Sequence, residues 1–357
     1  MPATCYRIEQ FERCTLGDGM KSERPIALWL LVVAFMVFCM VVLGGATRLT
    51  HSGLSMVEWR PLMGILPPWG DVAWQEVFAK YQLYPEYQKI NKGMTLPEFK
   101  QIFYFEYSHR VLGRLIGAAF ALPFLFFLFT KRITKRRLPS LVGLFLIGGF
   151  QGLIGWWMVK SGLVEDPDVS HYRLTVHLGV AILIFGALIW VALDIFRTDA
   201  GKGPTGGSRP SGLAKVVVLV VFVQMLLGAM VAGLDAGFIY NTFPDMNGRW
   251  LAEDIWHMTP GWINPLENPA TVQFNHRIGG YLAAILVLLL WWRGLKSGFE
   301  AARVALHITL VLLIIQFLLG VLTLILVVPL SLGIAHQAVA LLLFAACIYT
   351  AHKLKSS

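Results

Sequence analysis

Apolar positions along this chain come in long runs, and eight of them reach the length that crosses a bilayer, about 20 residues. The runs cover approximately residues 26–46, 108–130, 138–159, 172–195, 214–235, 274–292, 304–328 and 332–351. Lipid offers no hydrogen bonds, so a backbone inside such a run is satisfied only as a helix. The pattern predicts an all-α integral membrane protein with eight transmembrane helices. Thr95-Leu96-Pro97-Glu98 has the spacing of a capping box with proline in the first turn. The second helix is therefore expected to start near Leu96, outside the bilayer, and to run unbroken through Glu106 and His109.

The longest connection, residues 50–104, contains Pro67-Pro68-Trp69 and an amphipathic stretch from Asp71 to Tyr84. It is too long for a mere connector and is expected to cap a site. A second outer loop, about 236–272, holds His257 and several prolines. Gly201 to Gly212 is rich in Gly, Pro and Ser and reads as a flexible linker between two halves.

Charge gives the helices a direction. Lys131, Arg132, Lys135, Arg136 and Arg137 crowd one short connection; Arg197, Lys202, Arg209 and Lys215 fill another, and Arg293, Lys296 and Arg303 a third. Arg7, Arg13, Lys21 and Arg24 precede the first helix, and Lys353 and Lys355 end the last. With eight alternating helices all these lie on one side, which the positive-inside rule makes the cytoplasm. Both termini are expected there. The net charge of +9 thus reports topology and not a nucleic-acid partner. Composition agrees: 56% of the 357 residues are hydrophobic and 14% charged, against roughly 25% charged in soluble domains.

Cys5 and Cys14 precede the first helix, while Cys39 and Cys347 lie within helices, so no disulfide framework of the outer loops is implied. Residues 1–25 mix acids with bases ahead of a full-length span and resemble no cleaved signal or transit peptide. The simplest location is a bacterial inner membrane.

The halves repeat. His109-Arg110 matches His276-Arg277, Gln151-x-x-x-Gly155 matches Gln316-x-x-x-Gly320, and His177 matches His336. The expected organisation is a tail at 1–25, a four-helix bundle at 26–196, a cytoplasmic linker at 197–212 and a second bundle at 213–352. The two bundles are pseudo-equivalent.

His109, His177, His276 and His336 each fall early in an even-numbered helix, hence at one depth near the outer surface. Two facing helices in each half can direct imidazoles at one another, the geometry that holds a metal or haem iron in a bundle. A single membrane histidine is often just an interhelical hydrogen-bonding residue; four at equivalent repeat positions argue for ligation. Gly113 and Gly280, four residues after His109 and His276, would let a flat macrocycle approach, although HxxxG spacing also serves plain helix packing. Arg48, Arg110, Arg114 and Arg277 lie at the outer rim, where guanidinium groups suit haem propionates. His51 and His257 read as solvated loop residues; His307 and His352, toward the inner side, receive no role.

Glu106 shares a helix face with His109, and Gln273 takes its place in the second half. The bland reading is a carboxylate snorkelling to water. The sharper one is an acid held over a haem, able to relay protons or orient a substrate.

Glu106-Tyr107-Ser108-His109-Arg110, Gly44-Gly45-Ala46-Thr47-Arg48-Leu49, Leu174-Thr175-Val176-His177-Leu178 and Phe274-Asn275-His276-Arg277 resemble the haem A synthase family, over nearly the whole chain. The resemblance implies oxidation of the C8 methyl of haem O to the formyl group of haem A. It implies His276 and His336 as axial ligands of a haem b cofactor, with Arg277 on its propionates. His109 and His177 would be ligands of the haem O substrate, with Arg48, Arg110 and Arg114 on the propionates and Glu106 as the essential acid. Some bacterial members carry a cysteine pair in outer loops; this chain has none and resembles the proteobacterial and mitochondrial branch. Two hydroxylations of one carbon give a geminal diol, and loss of water gives the aldehyde. Expected partners are haem O, molecular oxygen or water as oxygen source, membrane lipid, a haem O synthase and oxidase assembly factors, with no nucleic acid and homo-oligomerisation left open. A di-haem b-type electron-transfer cytochrome explains the histidines but gives Glu106 no duty. A transporter built on a repeat is the weaker rival.

Overall fold

The computed structural model describes residues 23–58, 66–163, 167–199 and 210–355. Cys5, Cys14, Arg7, Arg13, Lys21, Lys202, Arg209 and residues 200–209 of the linker lie outside the described residues. Eight helices are long and apolar enough to cross a membrane: α1 (Arg24–Leu49), α2 (Leu96–Phe129), α3 (Leu138–Gly162), α4 (His171–Asp199), α5 (Ser211–Gly233), α6 (Pro269–Lys296), α7 (Arg303–Ile325) and α8 (Leu330–Leu354). No strand occurs among the described residues.

The start of α2 follows from its cap. Glu98 Oε2 accepts from both the backbone N–H and the hydroxyl of Thr95, each at 2.8 Å. At 34 residues α2 is about 50 Å long, against a hydrocarbon layer of about 30 Å. Its first turns therefore stand outside, and the outer loop ends at Thr95 rather than Tyr104. Two short helices of that loop, Gly70–Tyr81 and Pro85–Lys89, pack on this extension through buried Trp74, Tyr81, Phe99 and Phe103. The described part of the loop is folded against α2.

Neighbour relations run alike in both halves. In the first, α1 packs on α2 and α4, and α3 on α4; in the second, α5 packs on α6 and α8, and α7 on α8. The halves meet through α4 against α5 and α8, and α8 against α1. Leu30, Ile182, Leu188, Ile195 and Leu341 are fully buried in the core. Large apolar side chains such as Phe35, Phe129, Leu146 and Val304 are exposed on the outer helix surfaces. A soluble fold would rarely tolerate such a continuous coat; acyl chains cover it at no cost.

Glu23 ahead of α1, Arg137 ahead of α3, Asp194 near the end of α4, and His352 and Lys355 at the end of α8 converge at one end of the bundle. The beginning of α1 and the end of α8 thus lie on one side. His352 is buried there, its Nε2 3.0 Å from Asp194 Oδ1 and its ring edge-on to Trp190. It is part of an ion cluster that ties α8 to α4, a role the sequence did not disclose, because the partner is 158 positions away.

Candidate functional site

The four histidines all meet glycines, but not those that lie on their own helices. A Cβ on Gly44 of α1 would stand 3.1 Å from Cε1 of His109 on α2. The matching distances are 2.9 Å for Gly155 of α3 and His177 of α4, 3.1 Å for Gly228 of α5 and His276 of α6, and 2.8 Å for Gly320 of α7 and His336 of α8. Each imidazole lies in a notch cut by a missing side chain on the preceding helix. Gly113 and Gly280 face elsewhere: a Cβ on Gly113 would meet Met40 Cε at 3.4 Å, and one on Gly280 would meet Gln224 Nε2 at 3.5 Å.

Amides meet three of the four histidines, two of them at the ring. Gln151 Nε2 donates to the His177 carbonyl at 2.9 Å. Gln224 Nε2 donates to the His276 carbonyl at 2.8 Å and lies 3.0 Å from Nδ1 of the same residue. Gln316 Nε2 lies 3.1 Å from His336 Nδ1. The signal for these residues was present as Gln-x-x-x-Gly in the odd helices, but only the packing shows what the amide touches.

Haem is a better fit than a bare metal. A protein-held zinc takes three or four side-chain ligands, and no group of three or more His, Cys, Asp or Glu among the described residues is placed to hold a metal ion. Two axial imidazoles on one iron stand with ring centres roughly 6 Å apart, given metal–nitrogen bonds of about 2 Å. His276 and His336 have centroids 6.4 Å apart with planes at 82°. His109 and His177 are carried by α2 and α4, which both pack on α1. The Nδ1 atoms of His109 and His177 and the Nε of Arg277 are buried without hydrogen-bond partners among the described residues, as expected of groups built to meet something further.

Glu106 is no snorkelling carboxylate. Its side chain is only 4% exposed. Oε2 accepts from Ser55 Oγ at 2.8 Å and from the Met56 N–H at 2.7 Å; Oε1 pairs with Arg110 Nη2 at 2.5 Å. Arg110 also donates to the carbonyls of Met56 and Glu58. In the second half Gln273 and Arg277 stand in the same relation. Gln273 Oε1 accepts from Arg277 at 3.0 Å and its Nε2 donates to the carbonyls of Ala236 and Ile239; Arg277 donates to those of Tyr240, Thr242 and Asp245. Each pair clamps the outer loop of its half to the mouth of an even helix. The loop under Arg277 is shaped by Asp245, whose carboxyl is held below its ordinary range by the Thr242 hydroxyl and the Gly248 N–H.

Arg48 reaches across the halves to Asp235 at 3.0 Å and also approaches His51. His257 is tied to its own loop through the Asp254 carbonyl. Above the first half sits an acid that sequence reasoning missed. Glu86 is buried in the cap, accepting from Tyr81 Oη at 3.0 Å, and burial pushes its carboxyl up to about 7.

Comparison with known proteins is consistent over nearly the whole length. A profile of a family described as "Cytochrome oxidase assembly protein" matches residues 27–348. A "Heme A synthase" of Nitrosospira multiformis is 48% identical over 335 residues, 93% of this chain and 94% of that protein. Those of Parvibaculum lavamentivorans and Paramagnetospirillum magneticum are 47% and 46% identical, covering 93% and 96% of this chain and 95% and 97% of their own.

Proposed function

The chain belongs to the cytochrome oxidase assembly protein family, and from that premise we infer that it is a haem A synthase: a multi-pass oxidoreductase of the bacterial inner membrane that converts haem O to haem A. The residue assignments are ours. Haem b is held by His276 and His336 in the C-terminal bundle, 213–352, with Arg277 Nε as a donor to a propionate. Haem O is held by His109 and His177 in the N-terminal bundle, 26–196, with Arg48, Arg110 and Arg114 as the cations of its rim. The observation that carries the reading is the set of four imidazoles in four glycine notches, with one pair at the separation a shared iron needs.

Haem iron supplies what no side chain can, the capacity to activate oxygen and pass electrons. The chain's own groups bind, orient and exclude water. The notches fix the imidazoles, the amides of Gln224 and Gln316 hold His276 and His336, and the aromatic cap over α2 closes the N-terminal bundle to water. Glu106 is the group for protons. Its Oε2 touches Ser55 Oγ, a hydroxyl that both donates and accepts, so a proton exchanges there without moving the carboxylate off Arg110. The half that keeps glutamine at this position needs only to hold its haem.

The test is co-expression with a haem O synthase, followed by chromatography of extracted haems and measurement of haem b per polypeptide. Wild type is expected to yield haem A. Glu106→Gln is expected to keep haem b and yield none. No haem A from wild type, or equal yield from Glu106→Gln, defeats the assignment; loss of haem b together with haem A reduces Glu106 to a loop anchor.

A further inference from the structure

One of the four histidines lacks the glutamine that accompanies the others. Four positions before Gly155, Gly228 and Gly320 stand Gln151, Gln224 and Gln316; four positions before Gly44 stands Met40. The substitution is spatial as well as sequential. Gly113 follows His109 as Gly280 follows His276, and the atom facing a Cβ there is Met40 Cε in the first half and Gln224 Nε2 in the second. A thioether donates no hydrogen bond and accepts only weakly. Nδ1 of His109 is accordingly buried with no partner among the described residues. Nδ1 of His177 also lacks one, but there an amide is docked on the same residue's carbonyl with its Oε1 buried and unused. At the matching position on α1 His109 has Met40, with no amide to dock.

A histidine that ligates through one ring nitrogen normally has its other nitrogen held, which fixes the ring and strengthens the bond; loss of that partner costs about 10–100-fold in metal affinity. Relative to His276, therefore, His109 has exchanged both neighbouring amides, Gln224 for Met40 and Gln273 for Glu106. One exchange weakens the ligand and the other adds an acid on the same helix.

We propose that His109 is the yielding axial ligand of the substrate haem, that His177 is the retained one, and that a small exogenous ligand enters on the α2 side, the side that carries Glu106. This rests on the placement of haem O between these two histidines. It predicts a difference in ligand binding that activity alone would not reveal.

The experiment is a carbon monoxide titration of the purified, reduced, full-length protein loaded with haem O by co-expression, read by difference spectra. In wild type, carbon monoxide is expected to bind the haem O population and not the haem b. Met40→Gln is expected to weaken binding by about tenfold or more, while Met40→Leu, which adds no amide, leaves it unchanged. His109→Ala should keep haem O and bind carbon monoxide at least as tightly; His177→Ala should lose the haem O. Wild-type affinity in Met40→Gln, or the two histidine variants behaving in the opposite order or alike, overturns the proposal. Should Met40→Gln fail to fold, the histidine pair decides. Wild type that retains no haem O and makes no haem A defeats the function itself, a separate outcome.

Discussion

Replacing Gly320 by alanine puts a methyl carbon 2.8 Å from Cε1, 3.4 Å from Nδ1 and 3.7 Å from Nε2 of His336. Ordinary contact begins at 3.4 Å, so the ring or the whole of α8 has to retreat by more than half an ångström, and both nitrogens move with it. Overpacking of a close-packed interface costs typically about 1–3 kcal/mol, against which alanine returns up to about 1 kcal/mol of helix propensity. The net loss falls on the ligand geometry, and about 1.4 kcal/mol is a tenfold weakening of the haem b we propose between His276 and His336. The assay is haem b per polypeptide and the low-spin absorption spectrum of protein purified under limiting haem. Gly228→Ala, with its contact at 3.1 Å, should lose less. Gly212→Ala, on the same helix as Gly228 with no atom within 4 Å, should lose nothing. Full haem and an unaltered spectrum in Gly320→Ala, or equal losses in Gly212→Ala, would refute the notch argument.

Two further outcomes concern stability. Glu86 keeps, when folded, a proton that the unfolded chain releases near the ordinary carboxyl value of 4.5, so stability falls as pH rises from about 4.5 to about 7 and is level above. Burial is the main cause, ionised Glu106 and Asp168 add to it, and the Tyr81 hydroxyl opposes it. At about 1.4 kcal/mol per pH unit the loss is about 3 kcal/mol, and Glu86→Gln should flatten it; melting curves between pH 5 and 8 that slope equally in both proteins would contradict this. At the inner end, Asp194→Asn removes the acceptor shared by His352, Lys355 and Arg137. It is expected to cost about 1–3 kcal/mol and to leave the haem spectrum unchanged; a spectral shift without a fall in melting temperature would contradict the separation of the two ends.

The opposite-end clusters show why some roles were legible and others were not. Glu106 and His109 announce themselves as costly groups at the mouth of an apolar helix, and their copy at Gln273 and His276 makes the comparison. The glycines do not. The chain has 34 of them; Gly155 and Gly320 are marked only by a glutamine four positions earlier, and nothing local separates Gly44 from glycines with open space around them. Arg110 and Arg277 read as propionate cations because the carbonyls they also clamp belong to loops with no pattern of their own.

By itself the sequence determined the eight spans, the capped start of α2, the recurrence of a histidine early in each even helix and the acid present in one half alone. These follow from bilayer thickness, helix rise and the cost of polar groups in lipid, which act along a single helix. The tertiary structure decided which glycine each imidazole enters, that Glu106 is buried against Ser55, Met56 and Arg110, that His352 joins an ion cluster, and that Met40 stands where three glutamines stand elsewhere. Those depend on the angle and approach of neighbouring helices, which small residues permit at many positions and only the assembled bundle selects.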